Sequence, residues 1–146
     1  PRPAFLAALK EMLPAKGSVV VYSQGFESSV LRELARDFPE YASWVNGVLK
    51  RIVDLRVPFS NFWYYNPIQH GSASIKKVLP AMTGKSYEGM AIADGDCASI
   101  AYLDMNFGKI TAEKKAHIRN DLLKYCELDT EAMVWIVEKL KKITTC

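Results

Sequence analysis

The sequence predicts an α/β fold in which two short parallel strands alternate with helices. The chain has 146 residues, of which 49% are hydrophobic, and this is enough to form one domain core. Two apolar runs, at 18–23 and 52–55, have the length and the β-branched content of buried strands. Helical apolar patterns lie before, between and after these runs, and such alternation favours parallel pairing. Because two strands are too few for a self-sufficient sheet, we expect the sheet to be incomplete.

The first part of the chain shows elements separated by proline and glycine. Pro14 to Gly17 interrupt the first helical stripe, and Gly17 and Gly25 bound the first strand. Pro39 ends the next helix, since the residue before a proline disfavours helical geometry. The predicted order is helix 4–13, strand 18–23, helix 26–38, helix 41–49 and strand 52–55.

The second part of the chain is predicted to be helical after an irregular segment, 58–71, which contains four consecutive aromatic residues. A short helix begins after Ser74 as its cap and ends before Pro80, and a loop follows. The next helix spans 97–105, and its residues Ile100, Ala101 and Leu103 are expected to face inward. Thr111 caps a long helical region in which we expect a kink or a break near 127–130.

Composition excludes several classes of protein. No apolar run approaches the roughly 18 residues of a membrane-spanning helix, and no signal peptide is evident. Cys97, Cys126 and Cys146 lack the spacing of a disulfide framework or a zinc site. We therefore expect a cytoplasmic protein with no membrane partner. The net charge of +3 is only weak support for a nucleic-acid partner.

The sharpest local feature is the pair formed by Tyr125 and Asp129. Residues four apart on a helix project from one face, about one turn from each other. An aspartate suits Mg²⁺ or Mn²⁺, and a tyrosine hydroxyl one turn away is placed to orient a metal-held water. In the alternative interpretation, Asp129 caps a second helix and Tyr125 is merely half-buried.

Two further features have both a functional and a structural interpretation. Glu27 follows the first strand, where catalytic groups of open α/β sheets gather, but an acidic residue also stabilises the first turn of a helix. Lys76 and Lys77 lie at the predicted start of a helix, where amides and cations can hold phosphate. They are equally compatible with an ordinary solvated helix start.

Taken in order, four segments resemble the DnaQ-like exonuclease superfamily, also called DEDD nucleases. More closely, about 3–140 resembles a bacterial domain-of-unknown-function family within that superfamily. The segments that carry this resemblance are 20–27, 52–55, 71–80 and 125–130. The resemblance implies an RNase H-like fold with sheet order 3-2-1-4-5, in which 18–23 and 52–55 are the fourth and fifth strands.

The resemblance also implies roles for individual residues. Tyr125 and Asp129 match the third motif in its tyrosine form, and Glu27 stands where the second motif usually has an aspartate. Asp129 and Glu27 would be metal ligands, and Tyr125 would position water. Two departures matter: Ser23 replaces a frequent asparagine, and the Asp-x-Glu first motif is absent.

The missing first motif leads us to expect one partial domain, 1–146, that is the C-terminal part of a larger RNase H-like domain. The intact domain would be a 3′–5′ exonuclease that uses Mg²⁺ or Mn²⁺ to cleave nucleic-acid phosphodiesters. This chain alone is expected to be inactive and to bind no metal. The unpaired edge of the first strand predicts a homo-oligomer.

Other readings remain open on sequence alone. The chain could be a non-catalytic binding or regulatory module with the same fold, or an unrelated small α/β protein. With DNA or RNA as partner, Lys76, Lys77, His70 and Tyr65 are candidates for phosphate contacts and base stacking. For the run of aromatic residues, packing in the core is the competing explanation.

Overall fold

The computed structural model describes residues 1–145, which form two compact units. The first unit is Pro1–Tyr64 and the second is Tyr65–Cys146. Each has its own helices and its own buried side chains. None of the helices described has both the length and the apolar character needed to cross a bilayer.

The first unit places a small sheet among helices. Besides the 3-10 turn Pro39–Tyr41, its elements are α1 (Arg2–Met12), β1 (Val19–Val21), α2 (Gln24–Asp37), α3 (Ala42–Leu49), β2 (Ile52–Asp54) and α4 (Val57–Ser60). The two strands pair in parallel, with Val19 opposite Ile52 and Val21 opposite Asp54. The predicted parallel pairing is thus confirmed, whereas the RNase H-like sheet order stays a prediction.

The core of the first unit forms where α2 meets α3. Leu31, Val45 and Val48 are buried there, and partly buried residues of α1 and both strands surround them. Apolar residues at helical spacing on α2 and α3 create this contact, because only one face of each helix is apolar. The carboxyl end of β1 leads directly into α2 across Tyr22 and Ser23.

The second unit is helical. After the 3-10 turn Pro67–Gln69 come α5 (Ile75–Thr83), α6 (Gly95–Phe107) and α7 (Ala112–Thr144). Helix α7 packs against both α5 and α6. Val78 and Leu79 of α5 and Ala132 and Ile136 of α7 are fully buried.

Four expectations about the second part of the chain need correction, in whole or in part. Pro80 lies inside α5, which continues to Thr83, because Leu79 and Met82 are buried on either side of it and their burial outweighs one lost backbone bond. The segment 58–71 is partly regular, since it contains helical turns. Helix α7 is continuous through 127–130, where it has neither glycine nor proline.

The fourth concerns α6, in which no residue is buried. Ile100 and Leu103, which were expected to face inward, are 62% and 54% exposed. The apolar residues of α6 are distributed around the helix and do not form a stripe, so burial of one face cannot cover them. The predicted cap of α7 is confirmed, since the Thr111 side chain accepts a hydrogen bond from the Lys114 amide.

Candidate functional site

A basic cleft of about 530 Å³ opens in the second unit. It brings together three of the residues predicted to contact nucleic acid, namely His70, Lys76 and Lys77. The other side chains and backbone that line it are Ile68, Pro80, Ser86, Tyr87, Glu88, Gly89, Met90 and Ala93. Tyr65, the fourth predicted residue, is 47% exposed and is not part of this lining.

Local hydrogen bonds fix one wall of the cleft. Around the 3-10 turn, the Asn66 amide donates to Gln69 Oε1 at 3.0 Å, and the Ile68 amide donates to Asn66 Oδ1 at 3.0 Å. The Asn66 side chain also donates to the Ala81 carbonyl of α5 at 3.2 Å, and Gln69 is buried. His70 and Gly71 then turn the chain with positive φ values of 49° and 76°. His70 is therefore held on a defined turn.

Lys76 and Lys77 lie in the first turn of α5. Ser74 occupies the cap position, as predicted, but its side chain makes no capping hydrogen bond. Its carbonyl instead accepts from the amides of Lys77 and Val78, each at 2.9 Å. Two cations at the positive end of a helix give this wall of the cleft a charge that suits an anion.

Tyr87 connects the cleft to the predicted Tyr125 and Asp129 pair. Tyr87 is one of the residues that line the cleft, and its hydroxyl donates a 2.6 Å hydrogen bond to Oδ1 of Asp129. The rings of Tyr87 and Tyr125 lie 6.2 Å apart between centroids at an angle of 51°. The helical spacing thus places Tyr125 and Asp129 beside each other, and a loop residue joins both of them to the cleft.

The environment of Tyr125 raises the pKa of its phenol. Partial burial, followed by the nearby charge of Asp129 and a hydrogen bond to it, raises the pKa of Tyr125 to about 12. The charge of Asp94 adds to this shift. A neutral phenol at physiological pH donates a hydrogen bond and orients water, but it does not act as a base.

Asp94 extends the cluster toward the lysines. It caps α6, accepting a 2.7 Å hydrogen bond from the Cys97 amide. Hydrogen bonds from the Cys97 backbone and thiol and the charge of Lys76 lower the pKa of Asp94. The charge of Lys76 in the cleft therefore helps to lower the pKa of Asp94, and the charge of Asp94 in turn helps to raise the pKa of Tyr125.

Sequence reasoning missed Tyr87 and Asp94. Asp94 has a local signal, because an aspartate before Gly95-Asp96 and an apolar run is typical of a helix cap. Tyr87 has none, since its partner Asp129 lies 42 residues away along the chain. Only the packing of α7 against the rest of its unit reveals that contact.

Glu27 lies in the first unit, in the first turn of α2. Its Oε2 atom is buried and accepts no hydrogen bond from the residues described. The groove around it is otherwise apolar, with Phe26, Val30 and Leu31 among its lining residues. The backbone amides that begin α2 are occupied by Asp54, which accepts from Ser23 and Gln24 at 2.9 Å each.

The side chains described do not fit a magnesium or manganese centre. Residues 1–145 contain no group of three or more histidine, cysteine, aspartate or glutamate side chains arranged to hold a metal ion. Mg²⁺ requires six oxygen ligands in near-octahedral geometry, and Asp129 shares one of its two oxygens with Tyr87. Whether this chain binds metal stays a prediction.

Comparison with known proteins identifies relatives along most of the chain. An uncharacterized protein of Mycoplasma pneumoniae, the MG366 homolog, is 29% identical over 140 residues, covering 88% of this chain and 21% of the relative. The uncharacterized protein UU173 of Ureaplasma parvum is 27% identical over 143 residues, covering 86% of this chain and 21% of the relative. The chain thus spans about a fifth of the length of these relatives. No solved structure matches it.

A family profile gives the assignment. The family described as "Domain of unknown function (DUF2779)" matches residues 1–74, which include all of β1, α2, α3 and β2. This match covers half of the 146 residues. The expected kinship with a domain-of-unknown-function family is therefore confirmed, whereas the placement of that family among DnaQ-like exonucleases stays a prediction. The chain belongs to the DUF2779 family.

Proposed function

We propose that this chain is the nucleic-acid-holding part of a 3′–5′ exonuclease-like domain that acts on DNA or RNA phosphodiesters. One observation carries the proposal: Tyr87 lines the basic cleft and binds Asp129, which adjoins Tyr125. A phosphodiester in the cleft would thus lie near a carboxylate and a neutral phenol. These are the residue types that the resemblance to DnaQ-like exonucleases assigns to the third motif.

The cleft has the chemistry that a nucleic-acid strand requires. Lys76, Lys77 and His70 are placed to pair with phosphate oxygens. Glu88 is the one carboxylate in the lining, so cations outnumber it. Lysine contacts to phosphate do not depend on base sequence, and we therefore expect binding without sequence preference.

Cleavage would need carboxylates beyond those of the cleft. In a two-metal mechanism, two ions activate water and stabilise the leaving oxygen, and both need several oxygen ligands. Asp129 alone does not meet that requirement. We propose that the catalytic acids are completed by a first motif outside this chain, within an RNase H-like sheet of which β1 and β2 are the fourth and fifth strands.

A second candidate function is a non-catalytic module that binds nucleic acid. The hydrogen bond from Tyr87 to Asp129 favours it, because it uses one carboxylate oxygen for a structural contact. Both candidates require binding in the cleft. They differ only in whether Asp129 takes part in chemistry when the rest of the domain is present.

Fluorescence anisotropy with a labelled single-stranded 12-mer, either oligo-dT or oligo-U, tests the proposal. The change Lys76→Ala with Lys77→Ala should weaken binding about tenfold. It should also lower the slope of log affinity against log salt by about 1.4, since each lost phosphate contact on a single strand contributes about 0.7. The matched control is Lys141→Ala with Lys142→Ala, an exposed lysine pair at the end of α7.

Two results would contradict the proposal. If the control pair weakened binding as much as the cleft pair, attraction by net charge would explain the affinity. If the 146-residue chain degraded the oligonucleotide with Mn²⁺ in a manner abolished by Asp129→Asn, the chain would hold a complete catalytic site and the need for outside carboxylates would be wrong.

A further inference from the structure

An apolar groove of about 330 Å³ lies in the first unit, where α1 and α2 meet one face of the two-stranded sheet. Of the eleven described residues that line it, ten are apolar and the other is Glu27. Val21 and Leu31 are 9% and 8% exposed, whereas Phe5 and Phe26 are 52% and 74% exposed. The groove thus has a buried floor and a rim of exposed aromatic rings.

One carboxylate oxygen of Glu27 has no hydrogen-bond donor. Its Oε2 atom is buried, and no residue within 1–145 donates to it. The start of α2 does not supply a donor, because the amides of Ser23 and Gln24 donate to Asp54. A buried polar atom without a partner costs free energy, and the cost is larger for a charged group. A ligand that brings a donor to Glu27 would therefore gain affinity from this contact.

The chemistry of the groove favours an organic cation. An ammonium group has the charge opposite to that of the carboxylate and can donate three hydrogen bonds, while the apolar lining accommodates a hydrocarbon body. Either oxygen of Glu27 can turn toward such a group, because the last torsion of a glutamate side chain is broad and nearly two-fold. Mg²⁺ suits the groove less well, since it takes six oxygen ligands and Glu27 has the one polar side chain among the lining residues described.

The size of the groove favours a small molecule over a protein. Small-molecule sites have volumes of roughly 300–1,000 Å³ and are mostly apolar with a few polar groups, and this groove agrees in both respects. A specific protein–protein interface buries roughly 1,200–2,000 Å² in total, which needs a far more extensive surface than one groove of this size.

We propose that this groove binds a small amphiphilic amine, a molecule that carries one ammonium group on an apolar body. The ammonium pairs with Glu27, and the body lies on the buried floor between the rings of Phe5 and Phe26. The proposal does not depend on the proposed function, because the groove belongs to the first unit and the lysine cleft to the second.

Isothermal titration calorimetry of the full chain at pH 7 tests the groove with three probes of equal chain length: n-octylammonium, n-octanol and octanoate. The ammonium should bind about tenfold more tightly than the alcohol, because a charge-assisted hydrogen bond is stronger than a neutral one. Octanoate should bind most weakly, since it brings a second negative charge to Glu27. Equal affinity for the ammonium and the alcohol would overturn the proposal.

Glu27→Gln identifies the group that recognises the ammonium. It should weaken octylammonium binding about tenfold, to the affinity of octanol, and leave octanol binding unchanged. Glu33→Gln is the matched control, because it makes the same substitution at an exposed position of α2 and should bind as the unmodified chain does. If both variants lose the same affinity, the ammonium responds only to net charge and the proposal is wrong.

Phe26→Ala locates the apolar body of the ligand. It should weaken binding of both octylammonium and octanol about fivefold, because it removes apolar contact area at the rim. The melting temperature should stay nearly unchanged, since the side chain is 74% exposed. Unchanged affinity in this variant would place the probes elsewhere on the chain and contradict the proposal.

Two further outcomes would also overturn the proposal. In the first, none of the probes binds at millimolar concentration. In the second, light scattering shows that octylammonium binds only the monomer and that Phe26→Ala abolishes a dimer, in which case a second copy of the chain is the occupant of the groove.

Discussion

Asp54 organises the start of α2 through backbone amides. Its carboxylate accepts hydrogen bonds from Ser23, Gln24 and Arg56, each at 2.9 Å. Partial burial alone would raise the pKa of Asp54, but these three amides and the charge of Arg56 hold it below its ordinary value. Ser23 has a φ of 76° and makes no side-chain cap of its own, so Asp54 supplies the capping oxygens.

Asp54→Asn should lower the free energy of unfolding by about 1 kcal/mol near pH 7, because charge-assisted bonds to the amides are lost. Since the folded-state pKa is depressed, this stabilisation is present above about pH 4 and is lost as pH falls through the folded value. Urea denaturation at pH 7 and pH 3 measures both effects. Asp104→Asn, at an exposed position on α6, is the control. Equal stability of Asp54→Asn and the unmodified chain at pH 7 would rule out the capping role.

Tyr125 makes the stability of the fold depend on alkaline pH. Its pKa is raised to about 12 from an ordinary value of about 10, so the folded chain keeps a proton that the unfolded chain releases. The associated stabilisation is complete below about pH 10 and disappears as pH rises to about 12. Absorbance titration of the phenolates should show one late-titrating tyrosine fewer in Tyr125→Phe, in which Tyr22, whose pKa is also raised by burial, remains. An unchanged titration curve in that variant would contradict the assignment.

Sequence spacing was sufficient for some residues and not for others. The interval of four placed Tyr125 and Asp129 on one face of α7, and their shared contact with Tyr87 agrees with that placement. The alternative, in which Asp129 caps a second helix, is wrong because α7 does not end there. The contact of Tyr87 with Asp129 could not be predicted, because the two residues are 42 positions apart and no sequence periodicity relates them.

Among the elements, α6 and α7 differ sharply in how they are anchored. Ile136 of α7 is fully buried, whereas Ile100 of α6 is 62% exposed. The local sequence pattern could not predict which of the two helices is buried. Both carry many apolar residues, and burial depends on the helix that packs against them. The same reason explains Pro80, whose local signal to end α5 yields to the burial of Leu79 and Met82.

Ile136→Ala should lower the free energy of unfolding by about 2–5 kcal/mol, since it leaves a cavity between packed helices. Ile100→Ala, the same substitution at an exposed site, should change it by less than about 0.5 kcal/mol. Urea denaturation of both variants gives the comparison. Similar losses in the two would show that α6 is buried in solution, contrary to the structure.

For the molecule as a whole, the two-stranded sheet predicts self-association. Val20 and Val53 are 38% and 48% exposed, and within residues 1–145 each strand pairs only with the other. A short sheet with open edges and exposed valines tends to pair with another chain. Light scattering should therefore detect a dimer at high concentration, and Val20→Lys should weaken it. A strictly monomeric mass at every concentration would oppose this expectation.

The two units differ in how much of their structure could be predicted from the sequence. Alternating patterns were enough to predict the parallel pair in the first unit, because β-branched runs and helical stripes are local signals. The basic cleft was not predictable as a cavity, since its walls come from α5 and from the loop around Tyr87. The position of its two lysines, Lys76 and Lys77, at the start of a helix was nevertheless predicted from the sequence.

Photocrosslinking with a single-stranded oligonucleotide that carries bromodeoxyuridine tests the central claim most directly, because it locates the bound strand on the chain. Mass spectrometry should find crosslinks in peptides of the cleft, at 68–77 or 86–90, and these should decline with Lys76→Ala and Lys77→Ala. Crosslinks confined to the end of α7, or unaffected by the lysine substitutions, would contradict the account.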